Sequence, residues 1–404
     1  MPRDRITAIQ RAAERVRDRM LRFLRELIAI PSPPAGEEAA VRRTAREMQD
    51  LGFDAVERDV LGSVVGTLGN GPFELLYDAH LDTVCLGDVR DWDCDPFLGR
   101  IDETHVYGLG ASNNKGAMAA MLYAAHVLRE LDLLQGVTLR VVGSIMEEEC
   151  EGLCYRSLLQ SGLVRPDLVV LGKCTDLGVC RGQRGRMECR GVVTGRSTHA
   201  SRPGSEPNAA GAAAAILTRV QELNARLPED PFLGKGSIAI THVETPRGRA
   251  FFTPASCELA IDRRLTKGES REEAIAQLLR LAPEGNLQVE VRRYDRPSYT
   301  GQILEVERFY PQWELPAEHA FVAAAVRTAA AVLGRTPDVK PWSFSTNGVY
   351  TMGIAGIPTV GFGPGREVQV HAVNDRVAID ELLQALAFYA LFPATVVGTR
   401  GSGG

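Results

Sequence analysis

Apolar residues recur at helical spacing from Ile6 to about Ile30 (Val16, Met20, Leu21, Phe23, Leu24, Leu27, Ile28), and Pro31-Ser32-Pro33-Pro34 ends the run. Short strands are predicted over 55–58, 64–68 and 74–79, followed by a helix over 116–131. Residues 137–146 form a continuous β-branched and apolar run, as in a strand buried on both faces, and 168–171 form another. From about Arg186 the texture changes. Alternating strands over 187–194, 237–243, 256–264 and 287–293 interleave with helices over 208–227 and 271–281, a β-α-β-β-α-β order that predicts a ferredoxin-like split unit. After Pro297 the first texture returns, through 321–333, 359–362 and a final helix over 379–391. The pattern predicts an α/β domain with a mostly parallel central sheet, discontinuous over 1–186 and 300–404. A small α+β domain over 187–299 is inserted into it.

At 404 residues the chain is too long for one ordinary core, which agrees with two domains. A net charge of −5 is small for that length and gives no reason to expect nucleic acid or an anionic membrane as partner. No apolar stretch approaches ~20 residues, so no membrane span is expected. The eight cysteines contain no Cys-x-x-Cys pair, and their scatter favours reduced thiols in a cytoplasmic protein. Cys150 and Cys154 stand four apart, but two thiolates alone make no zinc site.

Candidate chemistry lies on strand ends and turns. The strand ending in Tyr77-Asp78-Ala79-His80-Leu81-Asp82 offers an imidazole and a carboxylate, Glu147-Glu148 is an acidic pair, and His371 follows the glycine-rich Gly361-Phe362-Gly363-Pro364-Gly365. Imidazoles and carboxylates so placed can hold Zn²⁺ with a position left for water. Gly108-Leu109-Gly110 lacks the third glycine of a nucleotide loop. Ser32, Ser112 and Ser345 sit in no Gly-x-Ser-x-Gly elbow, which argues against a serine hydrolase. His105, His126, His242 and His319 take a structural reading.

Eight segments in order carry a resemblance over nearly the whole chain. They are Asp78–Asp82, Asp91–Phe97, Tyr107–Gly116, Met146–Glu149, Arg181–Arg186, Gly195–Ser201, Ile261–Arg264 and Gly363-Pro364-Gly365 with His371. Together they resemble the M20 metallopeptidase and amidohydrolase family of acylases, deacetylases and dipeptidases, and within it the selenium-metabolism-linked hydrolases. The resemblance implies a zinc-exopeptidase-like catalytic domain with an inserted lid that dimerises. It implies a hydrolase of amide or peptide C–N bonds acting on a small amino-acid-derived substrate.

Carried over residue by residue, His80 matches a first-site metal ligand, with Asp82 behind it as the orienting carboxylate. Glu147 matches the general base, and Glu148 and His371 match second-site ligands. The bridging aspartate falls on Asn113 and the first-site glutamate on Lys173. Both departures remove negative charge, and the second adds a positive one. Two zinc ions ~3.5–4 Å apart rely on a bridging carboxylate, and an ammonium cannot ligate Zn²⁺. At an effective dielectric of about 20, two cations ~4 Å apart repel by roughly 4 kcal/mol. The expectation is therefore at most one divalent ion, zinc first, on Glu148, His371 and the Asn113 oxygen, or none. Lys173 is expected in the first metal position, paired with Asp82 and Glu148.

Three meanings stay open for Lys173: decay to a silent protein, an electrophile acting on the scissile carbonyl, or a nucleophile. His199 matches a lid histidine that stabilises the oxyanion in the partner subunit's site. Arg264, with Arg263 as runner-up, matches an arginine that grips a substrate carboxylate, and Asn347 is a further substrate-binding candidate. The family's lid asparagine is here Phe251. Arg181, Arg184 and Arg186 suit either an anionic substrate or packing at the hinge. The competing readings are a silent binding or scaffold protein in the same cleft, and a repurposed acyl-transferring or lyase enzyme.

Overall fold

A computed structural model describes residues 3–202, 204, 206–246, 251–282 and 285–400. Nine strands form the central sheet. Eight lie in the order Ala55–Arg58, Val64–Leu68, Val137–Ser144, Phe73–His80, Leu168–Leu171, Thr359–Gly361, Val179–Gln183, Trp313–Glu314, and Val339–Trp342 also pairs with Val179–Gln183. The four middle strands run parallel, while the pairings that flank them on either side are antiparallel.

Period-two alternation along the parallel strands explains their unbroken apolar runs. Leu75, Tyr77, Leu139, Val141, Leu168 and Val170 face one buried cluster, whereas Leu76, Val142, Val169 and Leu171 face another. The first cluster is closed by helices Arg3–Ile28, Gly116–Glu130, Ala320–Leu333 and Ile379–Arg400. The second is closed by Leu153–Gln160 together with Trp313 and Trp342. Helix Gly116–Glu130 is buried on nearly every side, which accounts for its apolar character all round.

The last helix corrects one expectation. Ile379–Val397 has the length and apolar content of a membrane span, but 67% of its most apolar window is buried inside the molecule. It packs on Gly116–Glu130, Ala320–Leu333 and Arg3–Ile28 as a core helix. It also runs past the predicted end at 391, with Pro393 inside it. The all-apolar pattern is that of burial by protein.

A second sheet, in the order Ser237–Glu244, Ser256–Leu265, Gly185–Thr194, Leu287–Val291, is antiparallel throughout and carries helices Ala209–Arg226 and Arg271–Leu279. It has its own apolar cluster. Phe309–Tyr310 adds a fifth strand against Met187 and Arg186, from outside the 187–299 range expected for the insert. Those two residues lie at the near end of Gly185–Thr194, beyond the reach of Leu287–Val291, which pairs only as far as Cys189.

Parallel register brings the chemistry to one level. His80 pairs with Ser144, Asp78 with Leu171, and Leu171 with Gly361. The chain leaving each strand at its carboxyl end therefore emerges at one crevice, the usual ligand edge of an open α/β sheet. Gly363 lets two of these loops touch: a Cβ there would lie 2.3 Å from both the Gly172 and Lys173 carbonyl oxygens. Gly363→Ala should lower stability by about 1–3 kcal/mol in denaturant unfolding. Gly211→Ala, on an exposed helical position where a Cβ meets only Asn208 at ordinary contact distance, should be neutral or slightly stabilising.

Candidate functional site

His80, at the end of its strand, is buried, with Nδ1 2.9 Å from the Asp82 carbonyl oxygen and Nε2 3.2 Å from Asn113 Oδ1. A carbonyl only accepts, so Nδ1 carries a proton. Asp82 Oδ2 accepts the Glu148 backbone N–H at 2.8 Å, and Oδ1 lies 3.5 Å from His80 Nδ1. Asn113 sits in the 111–115 turn, where the Asn113–Asn114 peptide is cis. Its amide nitrogen donates to Glu148 Oε1 at 2.5 Å. His371 Nε2 lies 2.8 Å from Glu148 Oε2. Met146 and His371 both have left-handed backbone, at φ 58° and 61°. Conformations of that kind in non-glycine residues cluster at functional sites.

Lys173 enters this ring from the Leu168–Leu171 strand, buried, with Nζ donating to Glu147 Oε2 at 2.9 Å and Asn113 Oδ1 at 3.2 Å. The ring of Phe344 lies 5.5 Å from the ammonium. The expected pairing with Asp82 and Glu148 is corrected: Asp82 is spent on the Glu148 backbone and His80, and the Asn113 amide nitrogen stands on Glu148. Burial opposes the charge on Lys173, but Glu147 and Glu148 outweigh it and hold the ammonium above its ordinary pKa. Burial raises Glu147 to about 7, with Lys173 and His80 opposing. Burial acts the same way on Glu148, yet Lys173, His371 and His80 hold it down at about 2. His80 rises to about 9, because Glu147 and Asp82 outweigh burial and the repulsion of Lys173.

This donor set does not fit two metal ions. The Asn113 oxygen is shared by Lys173 and His80 and its nitrogen faces Glu148, so the position of the family's bridging aspartate offers no charge, while among the described residues Glu148 alone spans the two imidazoles, 3.8 Å from His80 Nε2 and 2.8 Å from His371 Nε2. His80, Glu147 and Glu148 still offer atoms within 4.8 Å of one another, a set able to hold one ion. Such an ion would compete with Lys173 for Glu147. Glu147 Oε1 is buried and has no hydrogen-bond partner among the described residues. A free lone pair beside a fixed cation can accept a proton from water.

Two substrate-binding candidates are corrected. Arg263 is fully buried inside the second sheet's domain, donating to Glu269, Gln277 and the Ser237 and Arg264 carbonyls. Asn347 is buried against Asp78 and Ser144, and its Oδ1 accepts the Gly152 N–H at 2.8 Å. Both are pins of the fold. Arg264 closes on Asp262 at 2.6 Å, with no hydrogen bond or ion pair to the cluster among the described residues. His199 is exposed, bonded to Ser201 and edge-on to Phe252, likewise apart from the cluster. Phe251, in the place of the family's asparagine, is 75% exposed. Arg181, Arg184 and Arg186 are packing residues, bonded to Glu314, the Lys235 carbonyl and Glu151.

Sequence reading missed Glu37. It is fully buried, and its Oε1 accepts the Met146 backbone N–H at 3.0 Å and that of Ala35 at 3.0 Å. Glu37 thus fixes the start of the turn that presents Glu147 and Glu148.

A family model, Peptidase family M20/M25/M40, matches residues 76–394. The chain belongs to this family. Its members are hydrolases of peptide and amide bonds, and this chain is an enzyme of that class. It is 41% identical over 383 residues to the Escherichia coli K12 protein YgeY, which is described as uncharacterised, covering 94% of this chain and 95% of that one. It is 27% identical to the acetylornithine deacetylase of Klebsiella pneumoniae over 377 residues, covering 88% and 92%. Among solved structures, the M20 family metallo-carboxypeptidase of Sulfolobus solfataricus superposes with a TM-score of 0.73 at 18% identity, covering 93% and 99%.

Burial, then Asp82, raises Glu37 to about 8. Its folded pKa thus lies above the unfolded value of 4.5, so the folded state holds the extra proton and stability falls as pH rises between about 4.5 and 8. Glu37→Gln keeps the acceptor oxygen and removes that titration. Its stability relative to the parent should climb across that window by no more than about 1.4 kcal/mol per pH unit, read from urea midpoints.

Proposed function

We propose that the chain hydrolyses the amide bond of an N-acyl, N-carbamoyl or peptidyl amino acid with at most one divalent ion, zinc first, or none. The observation that carries this is Lys173 Nζ, 2.9 Å from Glu147 Oε2 in a pocket that also holds His80 and Glu148. In this reading Glu147 takes the proton of the attacking water on its free Oε1 and returns it to the leaving nitrogen. The Lys173 ammonium supplies positive charge where the carbonyl oxygen becomes negative, the electrophilic role. Its elevated pKa disfavours the nucleophile, which would have to be neutral. Asp82 keeps Nδ1 of His80 protonated and the ring fixed. An ion, if bound, would sit on His80, Glu147 and Glu148, or on Glu148 and His371, and would add Lewis-acid polarisation. Arg264 is the remaining candidate for the substrate carboxylate. A cytoplasmic location fits the eight free thiols.

Turnover should be sought on a panel of N-acetyl and N-carbamoyl amino acids and dipeptides. Glu147→Gln should lose about 10²–10⁴-fold in kcat, and metal analysis should find no more than one ion per chain. Asn113→Asp with Lys173→Glu should add ions. Two tightly held zinc ions in the parent protein would defeat the reading. Absence of turnover across the panel would favour the silent binder, which the loss of two carboxylates at Asn113 and Lys173 makes a specific alternative.

His199, beside the exposed Phe251 and Phe252, is placed by this proposal at a homodimer interface through the second domain. Separately purified His199→Ala and Glu147→Gln proteins should each be inactive. Mixed and allowed to exchange subunits, they should recover about a quarter of parent activity, since one of the two sites in each heterodimer is whole. No recovery, with exchange shown by mass, would remove His199 from the partner's site.

A further inference from the structure

The turn that presents Glu147 and Glu148 is also held from outside the site. Its next side chains point away from the cluster. Glu149 accepts from the Tyr294 hydroxyl at 2.8 Å and from Arg296 Nη1 at 2.5 Å. The Tyr310 hydroxyl lies 3.5 Å from Cys150 Sγ, and Glu151 accepts from Arg186 Nη1 at 2.7 Å.

These partners share a location. Arg186 stands where the chain first crosses into the second domain, at the start of Gly185–Thr194. Tyr294 and Arg296 stand where it crosses back, just beyond Leu287–Val291. Tyr310 pairs with Arg186 in the fifth strand. The crossings are tied to each other as well: Arg308 donates to both oxygens of Glu188, at 2.9 and 2.7 Å, and lies over the Tyr294 ring at 5.1 Å. From the opposite side, Glu37 and Asp82 hold the turn by the backbone N–H groups of Met146 and Glu148.

We propose that Glu149 and Glu151 are positioning residues, through which the placement of the second domain sets where Glu147 and Glu148 stand. Glu148 and Glu149 are neighbours, one 3.8 Å Cα step apart, so a shift of one carries the other. Glu151 and Tyr294 are buried. The Glu151–Arg186 pair is well covered, so breaking it from one side is strongly unfavourable, and the partly exposed Glu149–Arg296 pair adds to it, so turn and crossings move as one body. This inference rests on the amide-cleaving reading only for its catalytic consequence; the mechanical part stands alone.

Hydrogen–deuterium exchange on the full chain without substrate tests it. In Glu149→Gln/Glu151→Gln, backbone amides of 146–153 should exchange about tenfold faster or more, while those of 237–244 stay at the parent rate. Arg190→Gln, which removes an exposed pair with Glu258 on the same sheet, should leave the turn unchanged. Glu149→Arg should loosen the turn, and adding Arg296→Glu should restore it, which mere loss of packing would not do. If the double variant fails to fold, Tyr294→Phe is read in its place. On a substrate found by the panel, the double variant should lose about tenfold in kcat with KM within about twofold. Parent-rate exchange of 146–153 in the variants, or no restoration by the swapped pair, would overturn the proposal. Lack of turnover alone would count against the functional reading and leave the exchange result standing.

Discussion

An ammonium held against a carboxylate, Lys173 on Glu147, is the interaction around which the site is arranged. Both groups are buried, and either alone would be expensive in that place. Paired, and with Asn113 turned to give its oxygen to the lysine and its nitrogen to Glu148, they form a network with charge nearly balanced. A cation fixed in this place repels any metal ion brought close to it, by roughly 4 kcal/mol per unit charge at ~4 Å and an effective dielectric of about 20. Family membership supplies the amide-cleaving chemistry, and this pair is where the chain departs from the family's ligand set.

The frame that permits the pair is rigid. Four parallel strands deliver their ends to one level, and both faces of the sheet are packed, so the ends have little freedom to drift. The loops beyond them meet at Gly363, where backbone passes so close to Gly172 and Lys173 that no side chain fits between. Glu37 and Asp82 fix the acidic turn by its amide groups. The catalytic candidates are therefore held mostly by buried groups bonded to backbone.

Much of this was legible in the residues. The central strands, the long helices and the order of the second sheet follow from apolar periodicity, and His80, Glu147, Glu148, His371, Asn113 and Lys173 do lie together. What the sequence concealed was direction. Motif positions gave Lys173 its neighbourhood, but which carboxylate it meets depends on how the Asn113 amide is turned. Arg263 shows a signal that was available: Cys257, Leu259 and Ile261 alternate inward along their strand, and position 263 continues that phase. Arg264 belongs to the other face. Asn347 and Glu37 carried no such signal. Their partners, Asp78 and the Met146 amide, are far away in sequence and joined only by the fold. Helix Glu38–Asp50 escaped notice because its apolar stripe is short and interrupted by arginines.

The placement of helix Ile379–Arg400 at the centre of the larger core has a consequence for how the chain is made. Ribosomes release the N-terminal segments first, and units fold as they emerge. The second sheet lies almost wholly within one continuous stretch and can close while translation is still under way. The catalytic core cannot, because Gly116–Glu130 and Arg3–Ile28 pack on a helix that follows the second sheet in the chain. Until residues 379–400 are made, the apolar faces with which those helices meet it have no partner in the larger core, and His371 can join Glu148 only after residues 1–370 are already present.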